Sequence, residues 1–259
     1  MILGKTKMTP MVKFWKSTLI LIVIFTSISC NDDLNPRFQS PPYGYHVNTM
    51  TETCNGCETK FEYDAGGKVV NDGLVYEGER LVISNDKIPH PTNTGYFDAE
   101  YWIEPGNYFY DEEDQLTRII LGGSTVTDLK MEYDKAGQLT TLEETIINLN
   151  VDNDIHITKY DIHYPSPKKI VVSYEDLKGN QIEYHFLLDA GKNPFPEAYR
   201  IVTLHQIPFS IPIFVSNNNA NSYYRYKNQK LFESAEYDIE YNQYGFPTYF
   251  GSYSFEYSE

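Results

Sequence analysis

From Tyr45 onward, apolar and polar residues alternate in short runs. Near the end, Tyr237, Ile239 and Tyr241 interleave with Glu236, Asp238 and Glu240. Tyr249, Gly251, Tyr253, Phe255 and Tyr257 then interleave with Ser252, Ser254, Glu256 and Ser258. A period of two puts one set on each face of a strand. Comparable runs occur at 45–51, 58–63, 74–76, 81–83, 108–110, 117–121, 125–133, 139–149, 155–160, 169–174 and 181–187, followed by the apolar run Tyr199 to Leu204. Turn signals between them are often 11 to 17 residues apart, and no intervening stretch shows a helical period with caps. The pattern predicts an all-β fold, an antiparallel up-and-down meander of about 11–14 short strands. Its apolar face has to be covered, either by curling into a barrel-like sheet or, as the runner-up, by pairing two layers in a β-sandwich.

One turn recurs. Met131-Glu132-Tyr133-Asp134-Lys135-Ala136-Gly137-Gln138-Leu139 reads as a strand end, a tight turn and the next strand. Asp at the first turn position accepts a bond from backbone two residues on, and Gly three residues later supplies a left-handed conformation. The same Asp-x-x-Gly spacing occurs at Asp64, at Asp176 and, with Asn for Asp, at Asn242. At Asp111 a second Asp, Asp114, stands at the Gly position. Leu188-Asp189-Ala190-Gly191-Lys192-Asn193 reads as a shortened copy. The stretches 76–81 and 226–231 read as tighter relatives.

The rhythm breaks twice, at 84–107 and at roughly 205–221. Long irregular segments on a regular scaffold are where binding residues concentrate. The first break carries Tyr96, Phe97, Tyr101 and Trp102, candidate ligand-binding aromatics able to stack on sugar rings or grip a partner, or else to cover one end of the core.

Composition alters this picture mainly at the N-terminus. Lys5, Lys7, Lys13 and Lys16 form a basic region without acids, followed by the apolar run Leu19 to Phe25 and then Ser27-Ile28-Ser29-Cys30. This order describes a secretory signal, too short for a membrane span. Cys30 at its end resembles the lipobox cysteine of bacterial lipoproteins, which is lipidated; Ser27 departs from the usual aliphatic residue. Asn31-Asp32-Asp33 resembles short acidic signals that send some lipoproteins to the cell surface. The expected organisation is a signal peptide at 1–29, a lipidated Cys30 with a Pro-containing tether at 30–44, and one β-meander domain at 45–259. The formal charge is −15, and losing four lysines with the signal leaves 17 basic residues against 36 acidic ones. Such a body is repelled by phosphate backbones, which argues against nucleic acid as a partner. Cys54-Asn55-Gly56-Cys57 sets two thiols across a hairpin turn signal, a candidate structural disulfide in an oxidising envelope. A redox motif would need a βαβ setting, and zinc would need a second ligand pair.

No catalytic pattern stands out. The six histidines are scattered, and there is no Gly-x-Ser-x-Gly elbow, His-Glu-x-x-His or phosphate loop. No metal site or cofactor is expected; the Asp152-Asn153-Asp154 stretch beside His156 reads as turn chemistry.

The unit Tyr133-Asp134-Lys135-Ala136-Gly137-Gln138-Leu139, with its weaker copies, resembles the tyrosine-aspartate (YD) repeats of the Rhs family. The irregular version is similar to bacterial surface lipoproteins of unknown function with a porin-like sheet. That resemblance implies an envelope address, anchored to the outer membrane and surface-exposed, and no catalytic residues. The expected function is a lipid-anchored, non-catalytic binding or structural module, meeting the membrane through its lipid and a glycan or envelope protein through its body. The alternatives are a hydrolase of surface glycans, which needs two carboxylates flanking a cleft, and an outer-membrane β-barrel, which needs a continuous lipid-facing band.

Overall fold

Five turns share one hydrogen-bonding geometry. In the computed structural model, which describes residues 39–41, 44–52, 58–70, 74–84, 106–122, 125–151, 154–205 and 207–258, the Asp134 carboxylate accepts the Ala136 amide at 2.8 Å and the Gln138 amide at 3.0 Å. The Asp134 amide donates to Gln138 O at 2.9 Å, and Gly137 N donates to Asp134 O at 3.0 Å. The same four bonds recur around Asp64, Asp111, Asp176 and Asn242. The fourth residue is left-handed each time: Gly67 (φ 82°), Asp114 (65°), Gly137 (78°), Gly179 (76°) and Gly245 (83°). Side-chain and backbone bonds together satisfy the turn's amides, so the chain reverses at low cost. The tighter relatives use Gly78 (62°) and the pair Asn228 and Gln229 (49° and 65°), the two-residue arrangement suited to twisted hairpins.

These reversals produce two antiparallel sheets. The larger holds eleven strands in sequence order: β3 (Leu74–Glu77), β4 (Arg80–Ser84), β5 (Gly106–Tyr110), β6 (Leu116–Gly122), β7 (Thr125–Tyr133), β8 (Leu139–Asn148), β9 (Ile155–Ser166), β10 (Lys169–Glu175), β11 (Gln181–Lys192), β12 (Asn218–Lys227) and β13 (Lys230–Glu236). Each strand pairs with its neighbours in the chain, which is the meander expected from the sequence. The sheet ends on β3 and β13 without closing into a barrel. The smaller sheet joins the two ends of the body in the order β14 (Ile239–Tyr241), β15 (Pro247–Phe250), β16 (Tyr253–Tyr257), β1 (Val47–Glu52) and β2 (Glu58–Lys60). All of this lies in one compact unit, Leu34–Glu259.

The core is built on the large sheet's inner face. Cross-strand register puts Ile119, Leu129 and Glu144 in one row, and Met131, Leu142 and Tyr160 in the next. Apart from Glu144 these side chains are buried. Packed on this face is the insert between β11 and β12, which contains α1 (Glu197–Val202), a 3₁₀ turn at Thr203–His205 and α2 (Ser210–Val215). Phe209 meets Tyr184 at 5.2 Å and Tyr223 at 5.2 Å, both edge-on. Tyr199 meets Phe61 at 5.2 Å, and Phe195 meets Phe255 at 5.8 Å, on the small-sheet side. The insert therefore fills the space between the two sheets, with Leu204 and Ile211 fully buried.

Three expectations need correction here. The segments expected as an apolar run at 199–204 and as an irregular, function-bearing break at 205–221 hold the helical insert and belong largely to the core. Each helix is six residues long, too short to display a 3.6-residue period. Both are apolar on most sides because both sheets cover them. The shortened turn copy at Asp189 is no turn, for β11 runs through it to Lys192 with a register shift. Asp189 does accept the Gly191 amide at 2.8 Å. Its other oxygen takes the Tyr241 hydroxyl, tying the large sheet to the small one.

Candidate functional site

Four tyrosines reach back to a hairpin that precedes them in the chain. Tyr110 donates to Leu81 O at 3.0 Å, and Tyr133 to Leu116 O at 2.6 Å. Tyr164 donates to Leu139 O at 3.0 Å, and Tyr257 to Pro247 O at 2.6 Å. Leu116, Leu139 and Pro247 hold the same position, five residues after the Asp or Asn that opens their turns. Leu81 follows the tighter Gly78 turn in the same way. These phenols stitch consecutive hairpins together.

One rung of this series is missing. Val69 holds the acceptor position after the Asp64 turn, and Tyr76 is the next tyrosine before a turn. The Tyr76 hydroxyl is buried and has no hydrogen-bond partner. Burial pushes its phenol up to about 12, helped by the charges of Tyr110, Asp64 and Glu197. The hydroxyl therefore stays neutral near pH 7, able both to donate and to accept.

At this interrupted rung lies a cavity of about 470 Å³, within the usual range for small-ligand sites. The 64–67 turn contributes Gly66, Gly67, Lys68 and Val69; the β3–β4 hairpin contributes Tyr76, Glu77, Glu79, Arg80 and Leu81. Tyr110 and Asp114 close a second side, and α1 closes a third through Pro196, Glu197, Ala198 and Ile201. Lys68 pairs with Glu79 at 3.1 Å, donates to Gly78 O at 2.6 Å and lies over the Tyr76 ring at 5.2 Å. Arg80 pairs with Asp114 and donates to Asp111 O at 3.3 Å, while its guanidinium lies over the Tyr110 ring at 5.6 Å. Among the described residues, Glu77 and Glu197 form no ion pair. Burial and then the Glu197 charge hold the Tyr110 phenol up at about 12. The cavity is thus lined by two aromatic rings, two cations each engaged by a carboxylate, and the solvent-exposed carboxylates of Glu77 and Glu197.

A second polar group lies farther along the inner face. The Tyr160 hydroxyl donates to Glu144 Oε2 at 3.0 Å, and burial raises the Glu144 carboxyl above its ordinary value. Arg225 lies over Tyr184 at 5.5 Å and over Phe232 at 5.1 Å, and pairs with Glu233 at 3.3 Å. Glu144 is thus bonded to a phenol rather than to a second carboxylate, and Arg225 is held by stacking and an ion pair.

Cys30, Cys54, Cys57, Tyr96, Phe97, Tyr101 and Trp102 all lie outside the described residues. Of the cavity residues, Tyr76, Tyr110, Asp114 and those of the Asp64 and Gly78 turns stood out in the sequence, and they did so as scaffold. Among the described residues, no group of three or more His, Cys, Asp or Glu is placed to hold a metal ion.

No protein-family model and no curated protein matches the chain. Among solved structures it is similar to a porin-like protein from Bacteroides uniformis, with 10% identity over 85% of this chain and 100% of that one and a TM-score of 0.42. A porin-like protein from Bacteroides vulgatus gives 12% identity over 82% of this chain and 99% of that one, with a TM-score of 0.39.

Proposed function

We propose that this chain is a lipid-anchored lipoprotein of the cell envelope whose β-meander body is a non-catalytic binding module, with the cavity beside Tyr76 as its site. The ligand is a glycan, or a polar segment of an envelope protein. The observation that carries this reading is the cavity of about 470 Å³ at the missing rung, within the range of small-ligand sites and lined by the Tyr76 and Tyr110 rings together with charged side chains. The address rests on the basic region, the apolar run and Cys30 in the sequence. A glycan hydrolase is the second reading: Glu79 and Asp114 are engaged by Lys68 and Arg80, which leaves Glu77 and Glu197 as the lining carboxylates it would have to use. An outer-membrane barrel needs a closed ring of strands, and the large sheet has two ends.

Two measurements test the proposal. Metabolic labelling with a fatty acid is expected to mark the wild-type chain and to leave Cys30→Ser unmarked; equal labelling of both removes the anchor. A screen of the full chain against envelope glycans is expected to return ligands whose binding is lost on blocking the cavity with Glu79→Trp, at an exposed lining position. Binding that survives this substitution places the site elsewhere.

A further inference from the structure

We infer that the tips of the β10–β11 and β12–β13 hairpins form a contact surface for an anionic membrane, independently of the cavity beside Tyr76. Leu177, Leu231 and Phe232 enter the lipid interface, and Lys178, Lys227 and Lys230 meet phosphate head groups. Ten large apolar side chains are exposed among the described residues, and seven of them lie on three neighbouring hairpins at one end of the large sheet. They are Leu149, Val151, Ile155 and Ile157 at β8–β9, Leu177 at β10–β11, and Leu231 and Phe232 at β12–β13. Single exposed apolar residues are ordinary; a row of them along one end marks an interaction surface. The β10–β11 and β12–β13 tips are also joined to each other. Asn228 Nδ2 donates to Asn180 Oδ1 at 3.1 Å, Gln181 N to Asn228 Oδ1 at 2.9 Å, and Asn228 N to Gln181 O at 2.8 Å. Leu177 on one turn, and Leu231 and Phe232 just past the other, therefore ride on one platform.

The cations decide the occupant. Lys227 and Lys230 stand directly opposite each other across the β12–β13 hairpin, a like-charge pair that destabilises the hairpin unless an anion offsets it. Lys178 stands on the joined turn. The carboxylates beside them are occupied. Asp176, which lies within the field of Lys227, accepts from Lys178 N, Asn180 N and Asn180 Nδ2. Glu175 accepts from Gln181 Nε2, and Glu233 from Tyr223 and Arg225. This end thus sets three lysines beside apolar side chains in a chain of formal charge −15. A soluble anion would use the lysines and leave the apolar side chains in water, and an apolar partner would leave the lysine pair unanswered. An anionic bilayer uses both, with the ammonium groups at the phosphates and the apolar side chains below them. Leu177 is 76% exposed and Phe232 63%, the latter resting by one face on the Arg225 guanidinium. A lipid on Cys30 is compatible with this contact. Gln39 N donates to Gln243 O and Lys192 N to Gly245 O, so the tether meets the body beside the far end of β11, a strand of 12 residues that spans about 40 Å. Residues 30–39 reach about 30 Å, so a body held at both places leans toward the membrane.

The test uses the full-length protein with Phe232→Trp, read over the background of the 2 native tryptophans, on vesicles of phosphatidylethanolamine and phosphatidylglycerol with brominated acyl chains. The signal has to be local, because a lipid at Cys30 would hold the protein on the vesicle without bringing position 232 to the acyl chains. The added emission is expected to shift to the blue and to be quenched. Combining Lys227→Gln with Lys230→Gln, like raising the salt concentration, is expected to remove most of the quenching. The same pair of substitutions is expected to leave the melting temperature unchanged or higher, because a like-charged cross-strand pair is lost. Absence of quenching in both Phe232→Trp and Leu177→Trp, the second reporter on the joined turn, overturns the proposal. Equal quenching on vesicles of pure phosphatidylcholine, or quenching unchanged in the lysine variant, overturns the head-group assignment. A blue shift that grows with protein concentration in the absence of vesicles assigns the surface to a second copy of the chain and overturns the membrane contact.

Discussion

At the scale of single residues, the turn glycines and the turn aspartates do different work. Asp134 gathers two amides on one carboxylate oxygen, a role that Asn242 performs equally well. Gly137 contributes a backbone angle that an L side chain resists, and an added Cβ would also come within 3.1 Å of Gln115 Nε2. Gly137→Val is expected to cost about 2 kcal/mol and to lower the melting temperature by roughly 4–8 °C; an unchanged value would contradict the left-handed turn. Asp114 shows that the position is selective without being exclusive, since Asp tolerates this conformation better than most residues. These turns were legible in the sequence because their chemistry is local: donor, acceptor and strained angle all lie within five residues. Asp189 misled for the complementary reason. It carries the same local signal and makes the same bond to the amide two residues on, but Tyr241, 52 positions away, recruits its other oxygen. Gly191 serves that contact too, because any Cβ there would overlap the Tyr241 ring.

At the scale of elements, the unit of construction is the hairpin together with the phenol that reaches back to its predecessor. Tyr133→Phe removes a rung and is expected to destabilise the protein by about 1 kcal/mol. Tyr76→Phe is expected to leave stability unchanged or slightly raised, since that hydroxyl has nothing to lose. A denaturant titration of the two variants separates them, and equal losses would mean that Tyr76 has a partner in solution. The meander was readable because strand period and turn chemistry agree along most of the chain. The helical insert was not, because six-residue helices buried between two sheets show neither a polar face nor a cap. The cavity was hidden for a related reason. Glu197 comes to it on α1, more than 100 residues from the Asp64 and Gly78 turns, and only the tertiary fold brings them together.

At the scale of the whole molecule, the abundance of tyrosine sets the response to alkali. Burial raises the phenols of Tyr63, Tyr108, Tyr133, Tyr160, Tyr184 and Tyr257 well above their ordinary value of 10, and those of Tyr76, Tyr110 and Tyr164 to about 12. In the unfolded chain these groups ionise near pH 10; in the folded one they stay protonated. Their contribution to stability is therefore intact below pH 10 and is lost as pH rises through the folded-state values. The protein is expected to unfold cooperatively above pH 10, with tyrosinate absorbance and loss of β-sheet circular dichroism appearing together. Tyrosinate signal that builds up gradually while the sheet persists would show that the phenols are more open to solvent than their burial indicates.

Ser258 N reaches His46 O at 3.0 Å across 212 residues of chain. Within that span the large sheet is assembled between sequence neighbours, each strand needing only the one just before it. The small sheet obeys another clock. β1 is among the first strands to emerge during synthesis or export, yet its long antiparallel partner, β16, is among the last. Until then β1 has only the three paired positions it shares with β2. The nascent body thus acquires its eleven-stranded half by zippering and its five-stranded half by a single late closure. Premature release, or truncation before Tyr253, would leave an early strand waiting with a bare edge, the arrangement most prone to capture by another chain.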